Sequence, residues 1–229
     1  MTRENVISNG RLFLVAGGRG RGGGDSVLEF MLKRLAVRRP RVAYIGAAHG
    51  DDLDFFNRMK AMLVGAGAGD VERVPLAGHR RMEASATRML EKADLIFMSG
   101  GDVEEGMRAL RACRAVRLLR SLFEKGKPFL GISAGSIMLG QTWVRWKDPE
   151  DDSTAEPFDC LGLAPFSCDT HDEDSGWEEL KTLVSLSPAG TRGYGLPSNS
   201  GMVVEPDGAS VSCGPVPVLF SAASKNGRS

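Results

Sequence analysis

The chain has 229 residues, 42% of them hydrophobic, which suits one large domain (1–229) with a substantial core better than two small ones. Its 29 basic residues balance 29 acidic ones, so charge gives no reason to invoke nucleic acid or an anionic membrane surface. No run reaches the roughly 18 apolar residues of a transmembrane helix, and Met1 to Gly10 lacks the apolar centre of a signal peptide, so a cytoplasmic location is expected. Cys113, Cys160, Cys168 and Cys213 are scattered with no Cys-x-x-Cys pair, which reads as free thiols rather than a disulfide framework or a zinc site.

Short β-type runs alternate with helical stretches. Arg11 to Ala16 reads as a first strand, ending in glycines, and Asp25 is placed to cap a helix with Val27, Leu28, Met31, Leu32 and Leu35 at helical spacing. Arg41 to Gly46 is the second strand, and Asp51 to about Gly65 the next helix, with Leu53, Phe56, Met59 and Leu63 on one face. Val71 to Leu76 suits a third strand, Met82 to Ala93 a helix, Asp94 to Met98 a fourth strand, Val103 to Lys125 one or two helices, and Lys127 to Ile132 a fifth strand. Thr142 to Pro165 is mixed and acidic and reads as an excursion; Trp177 to Leu186 reads as a helix. After Gly193 come β-like runs at Gly201 to Glu205, Ser210 to Cys213 and Val216 to Phe220, with Pro206-Asp207-Gly208 turning a hairpin and Ala222 to Ser229 a frayed end. Strands alternating with helices predict an α/β fold: a doubly wound, mostly parallel sheet with helices on both faces and a C-terminal β-hairpin extension. In such sheets function gathers at the carboxyl ends of the strands, where Gly17-Gly18, Gly46, Gly100-Gly101 and Gly131 fall.

The strongest chemical signal is Gly131-Ile132-Ser133-Ala134-Gly135, between an apolar strand and the start of a helix. Strand, Gly-x-Ser-x-Gly, helix is the layout of a nucleophile elbow, in which a sharp turn lifts a serine hydroxyl above the sheet edge and crowds the backbone enough to require small neighbours. Ser133 is therefore the candidate nucleophile, against a plain strand-to-helix turn. It needs a base, and there are three histidines. His49 lies in the tip after the second strand. His79 sits beside Arg80 and Arg81, where a solvated role is expected. His171 lies among carboxylates that would orient its imidazole, and is the candidate base. The tip Ser99-Gly100-Gly101-Asp102 follows the fourth strand, beside the fifth; the N–H of Gly101 with that of Ala134 would form an oxyanion hole, unless the tip is an ordinary turn.

Taken together, Phe97-Met98-Ser99-Gly100-Gly101-Asp102, Gly131-Ile132-Ser133-Ala134-Gly135, Cys168-Asp169-Thr170-His171 and Gly195-Leu196-Pro197 resemble the peptidase E and cyanophycinase family of serine peptidases. That family shares the flavodoxin-like layout of class I glutamine amidotransferases, with serine in place of cysteine. The resemblance runs from the first strand to the final hairpin. It implies Ser133 as nucleophile, His171 as base, the Gly101 and Ala134 amides as oxyanion hole, and hydrolysis of a peptide bond through an acyl-enzyme without metal or other cofactor. It further implies a small peptide substrate with an acidic, aspartyl residue at the scissile bond.

One departure matters. In the peptidase E branch the segment matching Gly195 to Asn199 carries the triad's acid where this chain has Ser198, which has no charge to give. Glu173 is the first substitute, since His171-Asp172-Glu173 has the His-x-Glu spacing of the related amidotransferase triad; Asp172 and Asp169 rank lower, because neighbours in an extended loop point to opposite sides. Ser198 would remain as a neutral orienter, and the triad would be weakened. Asp172 also stands where the family often has an aromatic residue, which bears on substrate choice. An acidic substrate would want an arginine: Arg19, Arg21, Arg145 and Arg192 are available, with Arg192 nearest the motif region. The main alternative to an enzyme is a catalytically impaired homologue acting as a binding or scaffold protein. Gly18 to Gly23 matches Gly-x-Gly-x-x-Gly, but no carboxylate ends the second strand and no cofactor is expected. An α/β-hydrolase would need a histidine near the C-terminus, and none follows His171. A homodimer is left open; nucleic-acid and membrane partners are not expected.

Overall fold

A computed structural model describes residues 10–18 and 23–222. In chain order the first part comprises β1 (Leu12–Val15), α1 (Gly23–Leu32), β2 (Val42–Ile45), α2 (Leu53–Gly65), β3 (Val71–Val74), α3 (Ala84–Lys92), β4 (Leu95–Met98), α4 (Val103–Ala112), α5 (Val116–Glu124), β5 (Phe129–Ile132) and α6 (Ala134–Leu139). Then follow β6 (Thr142–Trp146), β7 (Ala155–Asp159), β8 (Ser167–Thr170), α7 (Glu178–Leu186), β9 (Arg192–Leu196), β10 (Gly201–Val204), β11 (Ser210–Cys213) and β12 (Val218–Ser221).

A seven-stranded sheet runs β11-β10-β1-β5-β4-β2-β3. Its five strands from β1 to β3 in that order are mutually parallel, and β10 and β11 extend it antiparallel beyond β1. Side chains alternate across each strand, so the central strands must be apolar throughout, and they are. Phe13, Val15, Tyr44, Phe97, Leu130 and Ile132 face one way, onto Leu28 and Met31 of α1 and Phe56 and Leu63 of α2. Leu12, Leu14, Ala43, Ile45, Ile96 and Phe129 face the other, onto Leu90 of α3, Met107 and Leu110 of α4, and Leu119 of α5. Each of the Val, Leu, Ile, Phe and Met side chains among these, fully buried, contributes about 1.5–3 kcal/mol. The doubly wound reading is thus realised, with helices on both faces.

Several local expectations change. α1 starts at Gly23, which puts Asp25 inside the first turn rather than at the cap. α2 starts at Leu53 rather than Asp51, with Asp52 capping it by accepting the Phe55 N–H at 2.7 Å; the Asp51 carboxylate accepts the Leu76 and Ala77 N–H groups at 2.6 Å each. Leu53 is exposed, so it leaves the apolar face assigned to α2. The acidic excursion holds a hairpin, β6 against β7, with Val144 buried inward. The expected C-terminal hairpin exists, β10 with β11, but as part of the main sheet. The third run goes elsewhere: β12 joins a separate sheet of order β12-β9-β8, with β8 and β9 parallel. Residues 223–229 lie outside the description. All four cysteines are free thiols.

Register sets the working edge. Val15 pairs with Ile132, Met98 with Gly131, and Ile45 with Met98, so β1, β5, β4 and β2 end together. In the smaller sheet Thr170 pairs with Leu196, which brings the ends of β8 and β9 level.

Candidate active site

The elbow between β5 and α6 is strained where the sequence places its serine. Ser133 has φ 53° and ψ −125°, an unfavourable backbone region for a residue with a Cβ, costing of order 1–3 kcal/mol. The surroundings hold it there. Its N–H donates to the Val15 carbonyl at 2.9 Å. The buried Ser136 hydroxyl accepts the Val15 N–H at 2.9 Å and lies 2.8 Å from the Gly131 carbonyl, so one side chain ties β1 to the turn. The flanking glycines are steric necessities: a Cβ on Gly131 would sit 2.5 Å from the Ser136 nitrogen, and one on Gly135 would sit 2.1 Å from the Met98 carbonyl oxygen.

His171 follows β8 directly and also has positive φ, 46°. Its N–H donates to the Leu196 carbonyl at 2.9 Å, which continues the β8–β9 pairing one residue further and fixes where the ring starts. The next residues form a turn, with the Trp177 N–H on the Asp172 carbonyl and the Gly176 N–H on the Glu173 carbonyl, both at 3.1 Å. Trp177 is buried, and a Cβ on Gly195 would come within 2.6 Å of its ring, so Gly195 makes room for the indole that anchors this turn.

These two constructions meet. Ser133 Oγ lies 2.8 Å from His171 Nε2, a hydrogen-bonding distance for hydroxyl and imidazole. Both line a cavity of about 550 Å³ at the carboxyl edge of the sheet, together with Gly17, Gly100, Gly101, His49, Phe55, Met59, Glu173 and Ser198. Gly100 and Gly101 come from the tip of β4; Gly101 has φ +140°, and a Cβ there would lie 1.9 Å from the Ala48 carbonyl oxygen, so only glycine fits. Ala134, the other oxyanion candidate, is buried immediately behind Ser133 at the start of α6.

Glu173 and Ser198, alternatives for the third member by sequence, touch each other. Glu173 Oε1 accepts the Ser198 N–H at 3.0 Å. Partial burial would raise this carboxyl, but hydrogen bonds from the Ser198 side chain, from its own backbone and from the Ser198 backbone, with the nearby His171 charge, hold it below its ordinary value. The carboxylate therefore stays ionised near the imidazole. Among the described residues the imidazole's hydrogen bond is the one to Ser133.

Other expectations need correcting. Residues 171–176 do not form an extended loop; because they turn, Asp172, Glu173 and Asp174 all line the cavity. Asp169 points away into the interior: it is 5% exposed and its Oδ1 accepts the Thr170 N–H at 2.7 Å. Arg192 is not at the site. It opens β9, exposed, and four residues of strand, about 13 Å, separate it from the end that meets His171. Arg145 is engaged by Glu104 at 3.0 Å and Glu156 at 2.7 Å on β6. Arg19 and Arg21 lie outside the described residues, as does most of the Gly18–Gly23 motif. His79 does not line the cavity. What sequence reading missed is the wall made by His49 and Phe55, whose rings stack at 4.1 Å, with Met59 beside them. The available signal was Met59 one turn beyond Phe55 in α2, on the side facing the strand tips.

Known proteins resemble the chain. It is 29% identical over 160 residues to Peptidase E of Streptomyces coelicolor, covering 67% of this chain and 62% of that protein. It is 32% identical over 93 residues to Peptidase E of Shewanella amazonensis, covering 40% of this chain and 38% of that protein. The matched region thus spans less than two thirds of either relative. A crystal structure of a putative Peptidase E protein from Listeria monocytogenes superposes with a TM-score of 0.67 at 18% identity, over 90% of this chain and 98% of that one. A peptidase from an acI-B1 Actinobacterium superposes with a TM-score of 0.61 at 13% identity, over 94% and 91%. These structures share the fold. The family model of Peptidase family S51 matches residues 12–212, from the first residue of β1 into β11, so that elbow, glycine tip and histidine turn all fall within it, and the chain belongs to that family.

Proposed function

We propose that the chain is a serine peptidase that hydrolyses short peptides through an acyl-enzyme on Ser133. The observation that carries this reading is the 2.8 Å approach of Ser133 Oγ to His171 Nε2 at a strained elbow on the wall of a cavity. In the proposed reaction His171 Nε2 takes the hydroxyl proton as Ser133 Oγ adds to the scissile carbonyl. The Gly101 and Ala134 amides hold the oxygen that becomes negative; one such donor is worth roughly 3–4 kcal/mol of barrier. The imidazolium then protonates the leaving amine, and a water activated by the same ring releases the acid. Glu173, fixed by the Ser198 amide, supplies the negative charge that favours the imidazolium, in place of an acid at 198. Hydrolysis at an aspartyl residue is what the family resemblance suggests for specificity; no Lys or Arg among the described residues lines the cavity to support it.

A fluorophosphonate probe tests the mechanism. Modification should map to Ser133, vanish in Ser133→Ala and fall sharply in His171→Ala. A folded wild-type protein that stays unlabelled, and that also leaves a panel of dipeptides intact, would favour a binding or scaffold role.

A further inference from the structure

Away from the catalytic cavity, α4 and α5 meet at a groove of about 640 Å³ lined by Arg111, Arg114, Arg117 and Arg120. None of the four lines the catalytic cavity. Chain geometry gathers them. Arg111 lies in the last turn of α4 and Arg114 in the link to α5, while Arg117 and Arg120 stand three residues apart in α5, on one face. Two of them are fixed by backbone carbonyls. Arg111 donates to the Asp159 carbonyl, with its guanidinium over the Phe158 ring at 4.6 Å. Arg120 donates from Nε to the Leu161 carbonyl at 2.8 Å and from Nη2 to the Cys160 carbonyl at 3.4 Å. A carbonyl orients a guanidinium and leaves its charge in place. Arg114 and Arg117 are exposed, and their side chains have no hydrogen bond or ion pair to a described residue. Arg114 also has φ 62°, at a helix end where the Ala115 N–H donates to the Leu110 carbonyl and glycine is the usual residue. Among the described residues no ion pair reaches any of the four. The carboxylate on the groove wall is Glu124, so four cations face one anion in a chain of zero net charge.

We infer that this groove binds a compact, multiply charged phosphate ligand, a di- or triphosphate, free or as the tail of a nucleotide. Each guanidinium presents a planar fork of N–H donors that matches a pair of phosphate oxygens, and several around one concavity match several charges. The lining argues against a macromolecule. Val116 is the one apolar side chain among the described lining residues, whereas a protein partner needs apolar or aromatic anchors. Single-stranded nucleic acid needs aromatic platforms for its bases, and no aromatic residue among the described ones lines the groove. The site is separate from the peptidase reading and holds or fails independently of it.

Equilibrium dialysis of the protein against tripolyphosphate, at low ionic strength and without divalent cations, tests the assignment. Tripolyphosphate should bind with a Kd below about 1 mM and more weakly as salt is raised. Arg114→Gln with Arg117→Gln removes two side chains that hold nothing in the fold, and should weaken binding at least about tenfold. Arg80→Gln with Arg81→Gln removes the same charge from an exposed stretch outside the groove, and should change Kd by less than about twofold. ATP tells the two sources of phosphate apart: an affinity equal to that of tripolyphosphate admits a nucleotide tail, a much weaker one restricts the groove to free chains, and both uphold the site. Absence of binding at millimolar tripolyphosphate overturns the inference. So does equal weakening by the two arginine pairs, which would mean diffuse attraction, or tighter binding of a hexa-aspartate peptide or an oligothymidylate, which would make the groove a macromolecular docking face.

Discussion

Glu173 is where this site departs most from the pattern its sequence resembles. Its carboxylate grips the backbone N–H of residue 198 rather than being replaced by a side chain there. Glu173→Gln keeps an oxygen able to accept that N–H and removes only the charge, so the fold should survive while kcat/KM falls by about two to four powers of ten. Ser198→Ala keeps the N–H that Glu173 uses, and kcat/KM should fall by less than about tenfold. Steady-state kinetics on both variants decides; the opposite ranking would reassign the orienting role to Ser198. A different substitution probes the elbow. Gly135→Ala would press a Cβ into the Met98 carbonyl at 2.1 Å, a backbone atom that cannot step aside alone, and should cost about 1–3 kcal/mol in a urea melt while slowing Ser133 labelling. The pairing of Ser133 with His171 was legible in the sequence because an elbow demands small residues around its serine at fixed spacing and only three histidines were available to meet it. Phe55 and His49 were not, since an aromatic ring on a helix and one in a short connection reveal nothing until the chain brings them together.

At the scale of elements, the second sheet does as much for the site as the first. β8 and β9 carry His171 and Ser198 at level ends, and α7 locks them through Trp177. Gly195→Ala would drive a Cβ to 2.6 Å from that indole. The expected result is a displaced turn at 171–176: probe labelling of Ser133 slows while the far-ultraviolet circular dichroism of the main sheet and helices is kept. Labelling at the wild-type rate would show that Trp177 does not position the histidine. The central strands were legible because burial on both faces forces continuous apolar runs such as Leu95-Ile96-Phe97-Met98. β8 was not, because Ser167-Cys168-Asp169-Thr170 is buried yet largely polar, and the Thr142 hydroxyl that meets Ser167 at 2.9 Å comes from a strand 25 residues away. The β6–β7 hairpin was hidden by its acidic connection and by Pro157 within β7.

For the whole molecule, net charge is balanced, yet stability should still depend on pH through interior carboxyls, Asp169 above all. Burial pushes the Asp169 carboxyl up to about 7, the Thr170 N–H pulling it down and Glu179 and Asp172 adding to the rise. Glu179 is raised as well, chiefly by burial, against the Trp143 indole hydrogen bond. A carboxyl whose folded value lies above its unfolded one holds its proton in the native state after the unfolded chain has lost it. Its stabilising contribution is full below the unfolded value of 3.8 and declines as pH rises toward about 7, where burial of the charge becomes a net cost. Glu173 runs the other way, but it is held below its ordinary value, so its loss belongs to more acidic solution. Between pH 5 and 8 the Asp169 effect should therefore govern, on the order of a few kcal/mol. Asp169→Asn keeps the acceptor for the Thr170 N–H and removes the titration. Scanning calorimetry should show a wild-type Tm that falls from pH 5 to pH 8 and a variant Tm that changes less and exceeds the wild type at pH 8. A variant less stable than the wild type at pH 8 would mean that the ionised Asp169 is held by the fold rather than tolerated by it.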